Sequence, residues 1–213
     1  MKKNLTLILF IVSLIGISIF VSAYEEHING DDDNIIYTAS VSKGWNLLNG
    51  GVYSNRLTAN SDIKEKDISA IYVYSPSQNE YLQIYPNLDE EKLNIEDKQS
   101  AKIHLIESSS AWVYIQRDGM IEYEVGDMVS IRKRELVPGW NFISVTESAL
   151  GQTLNNLKGN CDIQSAYYYF KEYKKLDLNM EFPNDMSSLG LIIKVPNKCK
   201  FGGNSIMPPQ IPN

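Results

Sequence analysis

The feature that most constrains the fold of this chain is the tripeptide Gly-Trp-Asn, which occurs at residues 44–46 and again at 139–141. The two occurrences are 95 residues apart. Each stands directly before apolar residues typical of a β-strand, Leu47 and Leu48 in the first case and Phe142 and Ile143 in the second. A motif that returns before the same kind of element predicts an internal repeat.

The segments that follow each motif support this prediction, because they come in the same order. Pairs of β-rich runs flank turn-rich residues and predict hairpins. In the first copy the pairs are Ala70–Tyr74 with Tyr81–Tyr85, and Ala111–Ile115 with Met120–Val125, which flank Asp118-Gly119. In the second copy they are Ala166–Phe170 with Leu176–Leu178, which flank KEYKK, and Leu189–Val195 with Cys199–Phe201. We therefore predict a mainly β fold of two tandem, divergent, hairpin-rich repeats with one or two short helices, behind an N-terminal signal segment.

The N-terminus predicts secretion. Lys2 and Lys3 precede an uncharged apolar stretch, and Val21–Ala23 supplies small residues for signal peptidase. We expect cleavage after Ala23 and a secreted or cell-surface location. An uncleaved anchor is the alternative, because the stretch is near the lower limit of about 17 apolar residues for a spanning helix. In that case the membrane is contacted only through this segment.

The expected division of the chain follows from these features. Residues 1–23 are the signal peptide or anchor, and residues 24–36 form an acidic leader. The first β-repeat spans 37–128 and the second 129–203. Residues 204–213 form a tail rich in glycine and proline.

Cysteine usage agrees with an extracytoplasmic location. Cys161 and Cys199 are the two cysteines of the chain. Outside the cytoplasm such a pair usually forms a disulfide, which we expect here. A metal site is the alternative, but His27 and His104 do not give zinc spacing with them, so we expect neither a metal nor a cofactor.

Charge and motifs argue against nucleic-acid binding and catalysis. The net charge is −6, and the one basic cluster, Arg132–Arg134, is interpreted as an exposed strand or loop. The chain lacks a Gly-x-Ser-x-Gly elbow, a phosphate-binding glycine loop and a His-Glu-x-x-His motif. Acid pairs such as Asp89 with Glu90 and Glu122 with Glu124 are interpreted as exposed charges. We expect no catalytic residues.

One helix is predicted from Glu147 to Lys158. Thr146 is a suitable N-cap, Gly159 a suitable terminator, and Leu150, Leu154 and Leu157 fall on one face.

The aromatic residues have structural and binding interpretations. Trp45 and Trp140 are predicted to bring large apolar areas into the core. Aligning Ala70 with Ala166 places Tyr72 opposite Tyr168, and both are predicted to point inward. The other face of the second copy would then present Tyr167 and Tyr169.

Together with Trp112, Tyr167 and Tyr169 are candidate ligand-binding aromatics, since exposed rings stack on sugars or anchor protein partners. The alternative is that the two tyrosines pack against the predicted helix.

The ordered runs GWNLL, IYVY, YLQI and AWVYI, followed by GWNFI, YYYF, LDL and LGLIIKV, resemble the Gly-Trp-Asn β-repeat modules of bacterial and archaeal secreted and cell-surface proteins. The last strand of those modules carries a Gly-Tyr-Trp-like run, to which Ala111–Tyr114 is similar. Leu189–Ile192 departs from it. The resemblance implies an extracytoplasmic, non-catalytic accessory or envelope role and implies no particular ligand.

These observations predict a secreted or envelope-associated, non-catalytic structural or adhesive protein. Its partners would be extracellular or envelope proteins or polysaccharides. The alternative is a carbohydrate-binding module that uses exposed aromatics. The third alternative is an envelope-acting hydrolase.

Overall fold

The computed structural model describes residues 35–50, 52, 56–93, 109–126 and 131–202. The predicted signal peptide, His27, His104 and the C-terminal tail lie outside these ranges. We call residues 35–126 unit 1 and residues 131–202 unit 2. No helix in the described ranges is long and apolar enough to cross a membrane.

Unit 1 contains a four-stranded antiparallel sheet in the order β2-β5-β3-β4 and a two-stranded ribbon in which β1 pairs with β6. The strands are β1 Ile35–Val41, β2 Gly44–Leu48, β3 Ile68–Ser75, β4 Glu80–Tyr85, β5 Ala111–Ile115 and β6 Gly119–Val125. Strand β1 therefore includes Ile35 and Ile36, which the sequence analysis placed in the leader.

Unit 2 has the same arrangement. Its four-stranded sheet runs β8-β11-β9-β10, and β7 pairs with β12. The strands are β7 Glu135–Leu136, β8 Gly139–Ser144, β9 Ser165–Phe170, β10 Glu172–Lys175, β11 Gly190–Val195 and β12 Cys199–Lys200. The prediction of a mainly β fold with short helices is confirmed, and the strand order is identical in the two units.

Each unit buries its own core between sheet and ribbon. In unit 1 the ribbon contributes Tyr37 and Tyr123, which pack over β-sheet residues such as Ile71, Val73 and Val113. In unit 2 the core combines Leu136 and Phe201 with sheet residues and with the helical segments that connect β8 to β9. A third, smaller cluster of Leu47, Tyr74, Phe142 and Ile192 is buried where the opposite faces of the two sheets meet.

Two of the predicted hairpins are wrong. Strands β5 and β6 flank Asp118-Gly119 but do not pair, because β5 lies between β2 and β3 whereas β6 crosses to β1. In the same way β12 does not pair with β11, the strand before it, but with β7. The hairpins β3-β4 and β9-β10 are present, although the last four residues of KEYKK, predicted as the second turn, form the whole return strand β10.

The predicted helix from Glu147 to Lys158 is also wrong. A 3-10 turn, Glu147–Ala149, and an α-helical turn, Leu154–Leu157, occupy this segment. Gly151 lies between them with φ +68°, a left-handed conformation that cannot continue a right-handed helix. Its N–H donates instead to the carbonyl of Phe182 at 2.9 Å. The N-cap with a side-chain bond is Thr153, which accepts from the Asn156 N–H at 3.1 Å.

The repeated tripeptide has one geometry in both units. Gly44 and Gly139 adopt φ of +106° and +100°, which favour glycine. The Asn46 amide donates to the Ser42 carbonyl at 2.8 Å, and the Asn141 amide donates to the Val137 carbonyl at 2.8 Å. The motif therefore closes a tight turn between the ribbon and the sheet, with glycine for the backbone and asparagine for the bond.

The two units contact each other through equivalent residues. The offset of 95 pairs Asn49 with Ser144 and Gly50 with Val145. Val145 donates its N–H to Asn49 Oδ1 at 3.0 Å, and Gly50 donates its N–H to Ser144 Oγ at 2.8 Å. Unit 2 thus donates to unit 1 the same hydrogen bond that unit 1 donates to unit 2. This exchange between equivalent positions relates the units by an approximate two-fold axis.

The disulfide Cys161–Cys199 is present, as predicted, and joins the segment before β9 to β12. Arg134, by contrast, is buried rather than exposed, and its guanidinium donates to Ser109 Oγ at 2.7 Å across the contact between the units.

Candidate functional site

The candidate site lies on the sheet faces that point away from the two cores. In unit 1, Ile71 and Val73 of β3 point into the core, so Tyr72 and Tyr74 occupy the opposite face. In unit 2, Ala166 points into the core and Tyr168 packs against it, so Tyr167 and Tyr169 face outward. Both outer faces are therefore tyrosine-rich.

The sheet registers correct the alignment of Ala70 with Ala166. Tyr72 lies opposite Trp112 of β5, and Tyr167 lies opposite Ile192 of β11, so Tyr72 corresponds to Tyr167. A shift of one residue in a strand exchanges its two faces. The assignment of Tyr72 to the core is consequently wrong, whereas Tyr168 does pack against the core of unit 2.

The two motif tryptophans also lie on the outer faces. Trp45 is 43% exposed and Trp140 is 36% exposed, so their assignment to the core is wrong. Along β2, alternation puts Leu48 into the unit 1 core, and Trp45 shares the other face with Leu47. Neither indole N–H has a hydrogen-bond partner among the described residues.

Two aromatic pockets lie side by side on these faces. The unit 1 pocket has a volume of about 490 Å³ and is lined by Trp45, Tyr72, Tyr81, Trp112, Tyr169 and Tyr173. The unit 2 pocket has a volume of about 400 Å³; its lining includes Trp140, Tyr167, Tyr74, Tyr81, Tyr173 and Ile192. Each pocket takes side chains from both units.

Close ring contacts hold the aromatic side chains of the unit 1 pocket. The Trp45 ring centroid is 5.1 Å from that of Tyr114 in an edge-to-face arrangement and 6.0 Å from that of Tyr72. Trp112 makes an edge contact with Tyr169 of unit 2 at 4.8 Å. Such geometries stabilise ring pairs and fix their orientation.

The two pockets are equivalent under the approximate two-fold axis. Trp140 and Tyr167 take the positions of Trp45 and Tyr72. Tyr81 lies opposite Tyr74 in the β3-β4 hairpin, and Tyr173 lies opposite Tyr169 in the β9-β10 hairpin, so these hairpin tyrosines also correspond. Because Tyr81 and Tyr173 line both pockets, the two pockets form one continuous aromatic surface.

The linings of the two pockets are uncharged and amphipathic. No charged side chain is among the described residues that line either pocket. Burial raises the pKa of Tyr74 and of Tyr173. Burial also raises the pKa of Tyr81, and a hydrogen bond from the Trp112 side chain acts in the opposite direction. These hydroxyls therefore stay protonated at neutral pH. The Tyr74 hydroxyl donates to Asn79 Oδ1 at 2.6 Å and can still accept, whereas the Tyr81 hydroxyl accepts from Trp112 and can still donate.

The three predicted binding residues are brought together only in part. Trp112 and Tyr169 are in contact and line the unit 1 pocket. Tyr167 lines the unit 2 pocket, where its ring centroid lies 6.1 Å from that of Trp140. Sequence reasoning missed Tyr81 and Tyr173 and placed Trp45, Trp140 and Tyr72 inside. Keeping the offset of 95 through β3 and β9 would have placed the aromatic rows correctly.

Of the acid pairs interpreted as exposed charges, Glu90 and Glu124 are exposed, whereas Asp89 and Glu122 are half-buried. Asp89 lies near Lys92, with 3.9 Å between carboxylate and ammonium, and Glu122 accepts a hydrogen bond from Thr58. In the described part of the chain, no group of three or more His, Cys, Asp or Glu side chains is placed to hold a metal ion.

Comparison of this chain with protein-family profiles, curated proteins and solved structures returned no match.

Proposed function

We propose that this protein is a non-catalytic adhesive module that acts outside the cytoplasm and binds a polysaccharide on its aromatic surface. The observation that supports the proposal is the pair of equivalent pockets, each with an exposed tryptophan at one side and tyrosine hydroxyls around it. The Cys161–Cys199 disulfide is compatible with such a location.

The chemistry of the lining favours sugars. Pyranose rings present flat arrays of C–H groups bordered by hydroxyls. Indole and phenol rings provide apolar faces, and their N–H and O–H groups provide the hydrogen bonds. A lining without charged side chains accommodates hydroxyls without burying an unpaired charge.

The arrangement of the pockets favours a polymer over a globular protein partner. Two equivalent pockets that share Tyr81 and Tyr173 present the same chemistry twice along one surface. A polysaccharide also repeats its chemical unit, so two residues of one chain can occupy both pockets, and the approximate two-fold axis means that the two pockets meet the chain in opposite directions. A globular protein partner would have to present matching groups at two places on its surface.

Titration of the purified protein with soluble polysaccharides, followed by tryptophan fluorescence, tests this proposal. We expect saturable binding, and we expect Trp45→Ala and Trp140→Ala to weaken it by at least about fivefold each, since truncation of a central aromatic costs more than about 1 kcal/mol. Met180→Ala is the matched control, because Met180 is exposed but lines neither pocket.

Two outcomes would contradict the proposal. One is a lack of binding to every polysaccharide in a chemically broad panel. The other is a concentration-dependent dimer, detected by sedimentation, that Trp45→Ala and Trp140→Ala abolish. The second result would assign the aromatic surface to contact with a second copy of the chain.

A further inference from the structure

The two pockets are equivalent in position but differ in charge at their margins. Tyr114 of β5 packs against Trp45, and the corresponding residue of β11 is Lys194, whose ammonium lies 5.4 Å above the Trp140 ring. The correspondence follows from the registers, in which Tyr114 lies opposite Trp45 and Lys194 lies opposite Trp140.

A second lysine distinguishes the unit 2 pocket. Gln83 lies opposite Tyr72 in unit 1, whereas Lys175 lies opposite Tyr167 in unit 2. Cross-strand neighbours project from the same face of a sheet, so Lys175 stands on the outer face beside Tyr167. Unit 2 thus presents two cations where unit 1 presents a phenol and an amide.

These lysines have no anionic partner among the described residues. The salt bridges there involve Lys92, Arg117 and Lys198. Lys175 is exposed and Lys194 is half-buried beside Trp140. In a chain with a net charge of −6, two unpaired cations flanking an aromatic pocket are placed to attract an anion.

We infer that the unit 2 pocket binds an acidic sugar residue, whose carboxylate lies between Lys175 and Lys194 while its ring contacts Trp140 and Tyr167. The unit 1 pocket has a phenol and an amide in place of these lysines, so it sets no requirement for charge on the residue of the same chain that it takes. The ligand class is therefore an acidic polysaccharide with uronic acid residues. This inference rests on the proposed function and adds the charge and the orientation of the ligand.

Polyuronates and their carboxyl-reduced forms test the inference directly. Hyaluronan, alginate and polygalacturonate oligosaccharides differ from their reduced counterparts only in the conversion of carboxylate to hydroxymethyl. At low salt we expect at least one acidic form to bind more tightly than its reduced form. We expect this preference to decline as salt is added, because exposed charge pairs are screened.

Variants locate the effect. Lys194→Gln and Lys175→Gln should each weaken binding of the acidic form by about two- to fivefold, as for exposed ion pairs, and leave binding of the reduced form unchanged. Lys174→Gln is the matched control, since Lys174 neighbours Lys175 in β10 but lies on the other sheet face, opposite Tyr168. It should change neither value.

The outcomes separate this inference from the proposed function. Equal binding of the acidic and reduced forms, or a preference that survives Lys175→Gln with Lys194→Gln, overturns the acidic pocket and leaves polysaccharide binding intact. A lack of binding to both forms, and to the neutral polysaccharides of the broader panel, overturns both proposals.

Discussion

Units 1 and 2 connect the same two parts of their fold with different side-chain chemistry. In both, a side-chain link joins the segment that enters the third strand of the unit to the stretch between the end of the fifth strand and the start of the sixth. Unit 1 uses an ion pair, with Asp67 Oδ2 3.1 Å from Arg117 Nε. Unit 2 uses the disulfide between Cys161 and Cys199. The offset of 95 matches Asp67 with Asp162, the neighbour of Cys161.

A second link between the same segments, at the same corner, is of the same type in both units, a hydrogen bond from a backbone N–H to a side-chain oxygen. The Met120 N–H donates to Asp62 Oδ2 at 3.2 Å, and the Lys200 N–H donates to Asn160 Oδ1 at 3.2 Å. The corner is therefore required by the topology, because the last strand of each unit must leave the sheet there and cross to the ribbon. The units differ in the first link, because the disulfide of unit 2 is covalent and sensitive to reduction, whereas the ion pair of unit 1 is non-covalent and sensitive to pH.

The largest effect that we expect comes from removing the disulfide. In the chain-entropy model, a bridge with a sequence separation of 38 stabilises the fold by about 4 kcal/mol. Cys161→Ser combined with Cys199→Ser should lower the free energy of unfolding by that amount, measured by urea denaturation. Amide hydrogen exchange should show the loss of protection in β7–β12 and not in β1–β6.

The control is Lys198→Ala, which removes the exposed ion pair of Lys198 with Glu135 near the same corner. It should change the free energy of unfolding by less than about 1 kcal/mol. Equal loss of protection in both units after disulfide removal would break the comparison, since the two cores would then unfold as one cooperative unit.

The next effect concerns the approximate two-fold axis, where Gly190 meets Ser110. A Cβ added at Gly190 would lie 2.3 Å from the Ser110 Cβ and 2.8 Å from the Leu47 Cγ. Gly190→Ala should therefore destabilise the protein by about 1–3 kcal/mol, as overpacking does, which urea denaturation would measure.

A second substitution sharpens this test. Ser110→Gly combined with Gly190→Ala exchanges the small residue across the axis and should recover part of the lost stability. A double variant no more stable than Gly190→Ala would show that the Ser110 side chain is not the source of the cost, and would assign it to the contact with Leu47 Cγ at 2.8 Å.

The mainly β architecture could be predicted from the sequence because the features that indicate strands and turns lie within short segments. Apolar alternation identified the strands, and the repeated Gly-Trp-Asn located their start. The pairing of β6 with β1 and of β12 with β7 was not accessible. Asp118-Gly119 is a strong hairpin signal, but the choice of partner for β6 is made by long-range packing of Tyr123 against Tyr37, at 6.0 Å between ring centroids.

The site was harder to predict for a related reason. In strands apolar on both faces, composition does not say which face is buried. Tyr72, Trp45 and Trp140 were placed inward because large aromatics usually are, whereas Ile71, Val73 and Leu48 fill the core. A one-residue error in aligning Ala70 with Ala166 was enough to reverse the face.

The smallest expected effect concerns the ion pair of unit 1. The pKa of Asp67 lies below its ordinary value of 3.8, chiefly because its carboxylate accepts the Lys64 N–H, with a further contribution from Arg117. A lowered pKa in the folded state contributes stability that is fully present above the ordinary value. That contribution is lost as the pH falls through the lowered pKa.

The free energy of unfolding should therefore fall as the pH is lowered from about 5 to below the ordinary value, and Asp67→Asn should make this fall shallower. Asp162→Asn is the matched control, because Asp162 is the exposed equivalent beside the disulfide. If both variants flatten the pH dependence equally, the acid sensitivity does not arise at the Asp67–Arg117 corner. If only Asp67→Asn does, unit 1 is tied by a pH-sensitive bond where unit 2 is tied by a redox-sensitive one.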